Sequence, residues 1–280
     1  MIGFFVKKTF FDGWDSLFKM AIYNIPFAFF VAGIFAACCF IPSITVVYAV
    51  IAASVIIVSL YFCCLSEVTY KIADNKKIEF ADFKTSFVKN WKLGISVGLI
   101  FVVFLVIVFF VIPFYLAKGN FENTIISALF FWALFVFLLA FQWAIPVHTQ
   151  LDNPLGKSIK KGFILLLDNP GLSVFLLIYS IIRIVLSCFL LLLYPSISGL
   201  SLVQNEAFKL LLYKYDWLEE KENEFAENLK KSEASGEDVS TQTFNPKQLR
   251  KQIPWDKLLE EDKEILGKRT FKNFIFPWKD

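Results

Sequence analysis

Charged residues are excluded from long stretches of this chain and crowded between them. From residue 20 to residue 66, 47 consecutive positions carry no Asp, Glu, Lys or Arg. As one helix this run would be ~70 Å long, about twice the hydrocarbon thickness of a bilayer. It must fold back, and Pro42-Ser43 near its middle supplies the break. Similar runs recur at 93–117, at 123–151 and, interrupted only by Arg183, at 169–205. The pattern predicts helical spans over 21–41, 44–65, 93–117, 123–146 and 172–194, with a shorter and more polar one at 197–213. The fold class is therefore all-α, a polytopic transmembrane helical bundle of six spans arranged as three hairpins.

A second periodicity precedes each hairpin. Phe10, Trp14, Leu17 and Ala21 recur at helical spacing in the leader. Phe80, Phe83, Phe87 and Trp91 form a stripe flanked by Lys84, Lys89 and Lys92. In the third connection Asn153 is expected to cap a helix with Pro154 at its first position. Leu155, Ile159, Phe163 and Leu166 share one face of that helix, beside Lys160 and Lys161. Basic helices with an aromatic face lie in the headgroup plane, wedge a bundle at the interface or dock on a partner.

Charge sets the orientation. The leader holds Lys7, Lys8 and Lys19, the 66–92 connection six lysines, and 148–171 Lys157, Lys160 and Lys161, while the intervening connections hold only Lys118. By the positive-inside rule both termini are cytoplasmic, which needs an even number of spans and makes 197–213 a crossing segment. Hydrophobic residues reach 57%, above the usual soluble range. Residues 1–215 carry 16 Lys+Arg against 10 Asp+Glu, and 216–280 carry 12 against 15. This divides the chain into a basic membrane domain (1–215), an acidic flexible linker (216–245) and a cytoplasmic tail (246–280). The tail has a short amphipathic helix near Trp255 and a basic-aromatic tip containing Phe274 and Trp278.

One charged group inside a span invites a partner. Arg183 is one of three arginines; it lies 12 residues before Pro195, and Glu206 lies 11 after it. On antiparallel helices each would sit ~17 Å from the turn, near the bilayer midplane. The expectation is an intramembrane ion pair, with Asn205 and Gln204 beside it. It serves either as a structural lock or as a substrate or ion site.

Catalytic chemistry is not visible. There is no Gly-rich phosphate loop and no nucleophile elbow. The single histidine, His148, stands at a helix end, and the five cysteines lie in apolar runs without metal-ligand spacing. No enzyme activity, cofactor or metal is expected, and no basic stripe suggests nucleic acid. Phe35-Ala36-Ala37-Cys38 loosely matches a lipoprotein cleavage site, but the apolar run continues past it, so the chain is read as intact.

Three segments carry a family resemblance: Phe83-Lys84-Thr85-Ser86-Phe87-Val88-Lys89-Asn90-Trp91-Lys92, the run from Ile145-Pro146 through Asn153 to Lys161, and Tyr194 to Tyr215. Over roughly 10–215 the chain resembles the YesL-like bacterial membrane proteins, a family without an established activity. The resemblance implies the bacterial inner membrane and an accessory role near an ABC-type carbohydrate importer, with a permease subunit as partner. The 65-residue tail departs from that shorter pattern. Two functions are thus expected. One is a non-enzymatic accessory protein contacting membrane surface or partner through Trp14, Phe87, Trp91, Lys89, Lys160, Lys161, Phe274 and Trp278. The alternative is a small transporter using Arg183 and Glu206.

Overall fold

A computed structural model describes residues 1–234, 249–250, 252–267 and 269, and every regular element among them is helical. Five helical stretches are long and apolar enough to cross a membrane: Leu17–Phe40, Ile44–Ala73, Phe80–Ala117, Phe121–Leu151 and Pro170–Phe189. The protein is an all-α, multi-pass membrane protein. The described chain divides into two compact units, one of Asp12–Glu206 and one of Met1–Phe11 with Ala207–Asp280.

The first helix, α1 (Ile2–Asp15), belongs to the smaller unit as far as Phe11; in the larger unit α2 (Leu17–Phe40) is followed, after the Pro42 break, by α3 (Ile44–Ala73). The next helix, α4 (Phe80–Val106), begins with a capping box between Glu79 and Asp82. The stretch from Phe80 to Lys92 was expected as a separate interfacial helix; it is instead the first three turns of a rod continuous with the span. A π-helical turn, Ile107–Val111, joins α4 to α5 (Ile112–Ala117). Pro113 explains the turn, since it cannot donate to the carbonyl one turn back. The return path breaks at Gln142-Trp143 into α6 (Phe121–Phe141) and α7 (Ala144–Leu151). Then come α8 (Leu155–Asp168), capped by extended Pro154 instead of Asn153, and α9 (Pro170–Phe189).

Small residues set the closest approach in this unit. A Cβ added at Gly94 would fall 2.5 Å from Leu60 Cα, and one at Gly98 would fall 2.6 Å from Ile56 Cα. Ser86 Oγ donates to the Cys64 carbonyl at 2.9 Å further along the same seam. α3 and α4 are therefore an antiparallel pair zipped along Ser86, Asn90, Gly94 and Gly98, the small-xxx-small arrangement of membrane helices. The aromatic stripe divides: Phe80, Phe87 and Trp91 are exposed, Phe83 packs inward between the Tyr23 and Tyr61 rings at 5.8 and 5.2 Å, and Ser86, Asn90, Leu93, Gly94, Val97 and Gly98 are buried.

The sixth expected span differs from the other five. Residues 197–213 belong to the 39-residue helix α10 (Ser196–Ala234), which lacks the apolarity of a free-standing span. Its first turns are instead buried nearly all round, including Ser198, Ser201, Leu202, Val203, Asn205 and Glu206. Protein covers its polar groups, so low hydropathy costs little there. Residues 216–234 continue this helix where a flexible linker was expected, because Glu and Lys are good helix formers once a buried segment has nucleated the turn. The remainder of that linker, to 245, lies outside the described residues.

The smaller unit gathers buried Phe5, Thr9, Phe11, Phe208, Leu210, Leu211, Leu259 and Leu266. Its tail helices, Trp255–Leu258 and Glu260–Leu266, fall near the expected amphipathic helix, and that helix packs within the chain through Leu259, Asp262 and Leu266.

Candidate functional site

The connection from α9 to α10 fixes the environment of Arg183. α9 ends at Phe189, and residues 190–195 form a compact turn with a cis Tyr194–Pro195 bond and left-handed backbone at Leu191 and Leu192. Asn24 of α2 pins this turn. Its Nδ2 donates to the Leu193 carbonyl at 2.8 Å, and its Oδ1 accepts from the Ser198 amide at 3.2 Å. Ser187 Oγ donates to the Arg183 carbonyl at 3.1 Å and accepts from the Ser196 amide at 2.6 Å, tying the two helix ends together.

Arg183 is 5% exposed. Its Nη1 donates to Tyr179 Oη at 3.3 Å, and the guanidinium carbon lies 5.7 and 5.9 Å from the Tyr179 and Tyr194 ring centres. Gly199 completes the cage, because a Cβ there would stand 3.0 Å from Nη2. Nε and Nη2 have no hydrogen-bond partner among the described residues. These two atoms form the side edge of the guanidinium, the fork that takes a carboxylate or phosphate bidentately.

The expected pair with Glu206 is not formed. Arg183 lies against Gly199, seven residues or ~10 Å along α10 from Glu206. The count from Pro195 assumed two helices running straight to the turn, whereas α9 stops at Phe189 and leaves Arg183 six residues, ~9 Å, from its end. Glu206 is itself buried and engaged elsewhere.

Asn205 has a structural setting. Its Nδ2 reaches Ser66 Oγ at 3.2 Å, Thr69 Oγ1 at 3.1 Å and the Ser201 carbonyl at 3.1 Å, and its Oδ1 accepts from Gln150 Nε2 at 3.0 Å. Ser66 also pairs with Thr149 and Thr69 with Ser201, so α3, α7 and α10 meet in one buried polar network. Gln204 instead lines a large apolar cavity of about 890 Å³ between the spans.

The expected surface residues part company. Trp14, Phe87 and Trp91 are exposed, with Lys92 Nζ 5.5 Å from the Trp91 ring centre, and Lys160 and Lys161 are exposed as well. Lys89 is exposed too, and it bridges Glu67 at 3.0 Å and Asp152 at 3.1 Å. Beside it, Asn90 links Glu67 to His148. Phe274 and Trp278 lie outside the described residues.

Sequence reasoning missed two features. Within the smaller unit the Asp262 carboxylate, 4% exposed, accepts from Lys209 at 3.4 Å and Tyr213 at 3.3 Å, with Lys8 at 3.9 Å. No local pattern joins residues so far apart in the chain. The Gly94-Ile95-Ser96-Val97-Gly98 spacing, by contrast, is a readable packing signal. Among the described residues no group of His, Cys, Asp and Glu could hold a metal ion. No family model, curated protein or solved structure matches this chain.

Proposed function

We propose that this chain is a non-enzymatic membrane binding protein that holds an anionic group at Arg183, as a small carrier or receptor in the bacterial cytoplasmic membrane. One observation carries the reading: the guanidinium is buried in a span, and among the described residues its bidentate edge meets no hydrogen-bond acceptor and no carboxylate. A buried charge left alone costs several kcal/mol, and two tyrosine faces offset only part of that. A carboxylate or phosphate oxygen pair supplies what the fork lacks. The test is thermal unfolding of the detergent-purified protein, followed by tryptophan fluorescence, during titration with inorganic phosphate and with acetate. Binding at one hundred times Kd stabilises by about 2.7 kcal/mol. The wild type should respond to at least one of the two anions and Arg183→Ala to neither. A wild type indifferent to both, or an Arg183→Ala protein responding equally, overturns the reading.

A second reading keeps the accessory role implied by the family resemblance, with an ABC-type permease subunit as partner. The exposed Trp14 and the exposed Phe87 and Trp91, which stand among Lys84, Lys89 and Lys92, support it. Affinity purification from native membranes in mild detergent should recover a stoichiometric membrane partner that is lost on Phe87→Ser with Trp91→Ser. Unchanged recovery by that variant removes this surface from the account.

A further inference from the structure

Three lysines crowd the first half of α8, Lys157, Lys160 and Lys161, and all three are exposed. Among the described residues no carboxylate pairs with any of them. The helix has one acid, Asp168 at its last position, and Asn169 Nδ2 donates to it at 3.2 Å. The second half of the same outer face is apolar: Ile164 and Leu167 are 55% and 80% exposed. At 3.6 residues per turn these five side chains fall within an arc of about 120°. The opposite face, with Ser158, Gly162, Leu165 and Leu166, is buried.

That buried face fixes the level of the helix against the spans. Leu155 and Ile159, on either side of Lys157, pack on the cluster of Phe141, Ala144 and Ile145, where the uncharged span ends. Further along, a Cβ at Gly162 would stand 2.5 Å from the Ala140 carbonyl oxygen, and the Phe163 and Phe137 rings lie 6.4 Å apart. Residues 137–140 lie well inside the apolar run of α6, whose Trp132 and Val136 are themselves exposed. The lysines therefore stand where the span leaves the hydrocarbon, and Ile164 and Leu167 stand beside its apolar part.

We infer that the outer face of α8 is a binding surface for an anionic phospholipid, with Lys157, Lys160 and Lys161 on the headgroup and Ile164 and Leu167 against an acyl chain. Uncompensated cations directly above an exposed apolar face match such a molecule in both parts. A zwitterionic phospholipid carries its own counter-charge, and a soluble acidic peptide would leave the two apolar side chains uncovered. The inference does not rest on anion binding at Arg183, which belongs to α9.

The detergent-purified, delipidated full chain is titrated with dioleoylphosphatidylglycerol and dioleoylphosphatidylcholine, which share their chains and phosphate, and bound lipid is counted by native mass spectrometry. The wild type should retain the anionic lipid at least about tenfold better. Lys157→Gln with Lys160→Gln and Lys161→Gln should lower that retention about tenfold and leave the zwitterionic lipid unchanged. A control of equal charge, Lys76→Gln with Lys77→Gln and Lys257→Gln, should keep the preference. All six lysines are exposed, so the melting curves should match the wild type. Ile164→Asn with Leu167→Asn should weaken retention of both lipids. Equal retention of the two lipids by the wild type overturns the inference and leaves the lysines to an acidic protein. So does a preference that survives the α8 lysine variant, or one that falls as far in the control.

Discussion

At the residue scale, Arg183 shows what a linear reading can and cannot reach. One arginine in an otherwise uncharged run is legible as an unusual residue, but its partner depends on where α9 stops. The turn at 190–195 is held by Asn24, more than 160 positions away, and no local pattern reveals that clamp. Gly199 tests the resulting geometry. A methyl there would meet Pro195 Cβ at 2.6 Å and Arg183 Nη2 at 3.0 Å. Gly199→Ala should therefore destabilise the protein by about 1–3 kcal/mol through overpacking and displace the guanidinium from its tyrosine cage. Melting of the purified variant measures the first effect, and a weakened anion response measures the second. A variant as stable and responsive as the wild type would mean that the glycine makes no room for Arg183. Asp262 gives an independent case in the smaller unit. Removing its buried carboxylate takes an acceptor from Lys209 and from Tyr213, so Asp262→Ala should cost about 1–3 kcal/mol. Limited proteolysis should then cut near Trp255 well before it cuts the wild type; an unchanged cleavage pattern would show that Asp262 does not hold the tail helices.

At the element scale, the five apolar helices were readable from charge exclusion alone, because a bilayer demands long uncharged runs, whereas the 80–92 stretch, expected as a separate helix, proved continuous with its span. Which face turns inward was not readable. The Phe80, Phe83, Phe87, Trp91 stripe has helical spacing and would be the core face in a soluble bundle. In this protein only Phe83 turns in, against Tyr23 and Tyr61, while Phe80, Phe87 and Trp91 point out and Ser86, Asn90, Gly94 and Gly98 pack inside. Lipid tails accept aromatic side chains as readily as a protein core does, so close backbone approach by small residues decides the interface. Gly94→Ala and Gly98→Ala drive a methyl into the α3 backbone and should each lower stability by about 1–3 kcal/mol. Gly33 is the internal control, since it is helical with open space around its missing Cβ. There the same change should be neutral or stabilising by up to about 1 kcal/mol, because alanine is the better helix former. Dodecyl sulfate titration in mixed micelles, followed by circular dichroism, ranks the three. A ranking in which Gly33→Ala is the most harmful contradicts the α3–α4 zipper.

At the scale of the whole molecule, the remaining question is how many times the chain crosses. Basic residues concentrate in the leader, in 66–92 and in 148–171, and the positive-inside rule assigns these to the cytoplasm. Five apolar helices then leave the residues after α9 on the opposite side unless the first part of α10 crosses back. Hydropathy argues against that crossing, as Gln204, Asn205, Glu206 and Lys209 all fall within it. Burial argues for it, because a helix covered by protein does not pay the cost of polar groups in lipid. At 39 residues and ~58 Å, α10 is long enough to cross and still extend well beyond the bilayer. The expected arrangement is thus a C-terminus on the same side as Lys157, Lys160 and Lys161. In a bacterial host, green fluorescent protein fused after Asp280 should fluoresce and alkaline phosphatase fused there should be inactive. Phosphatase fused within 118–120, between the third and fourth spans, should be active. An active phosphatase at both positions would mean that α10 does not cross. Its buried polar turns would then line the bundle from the far side, and the tail with Asp262 would face away from the cytoplasm.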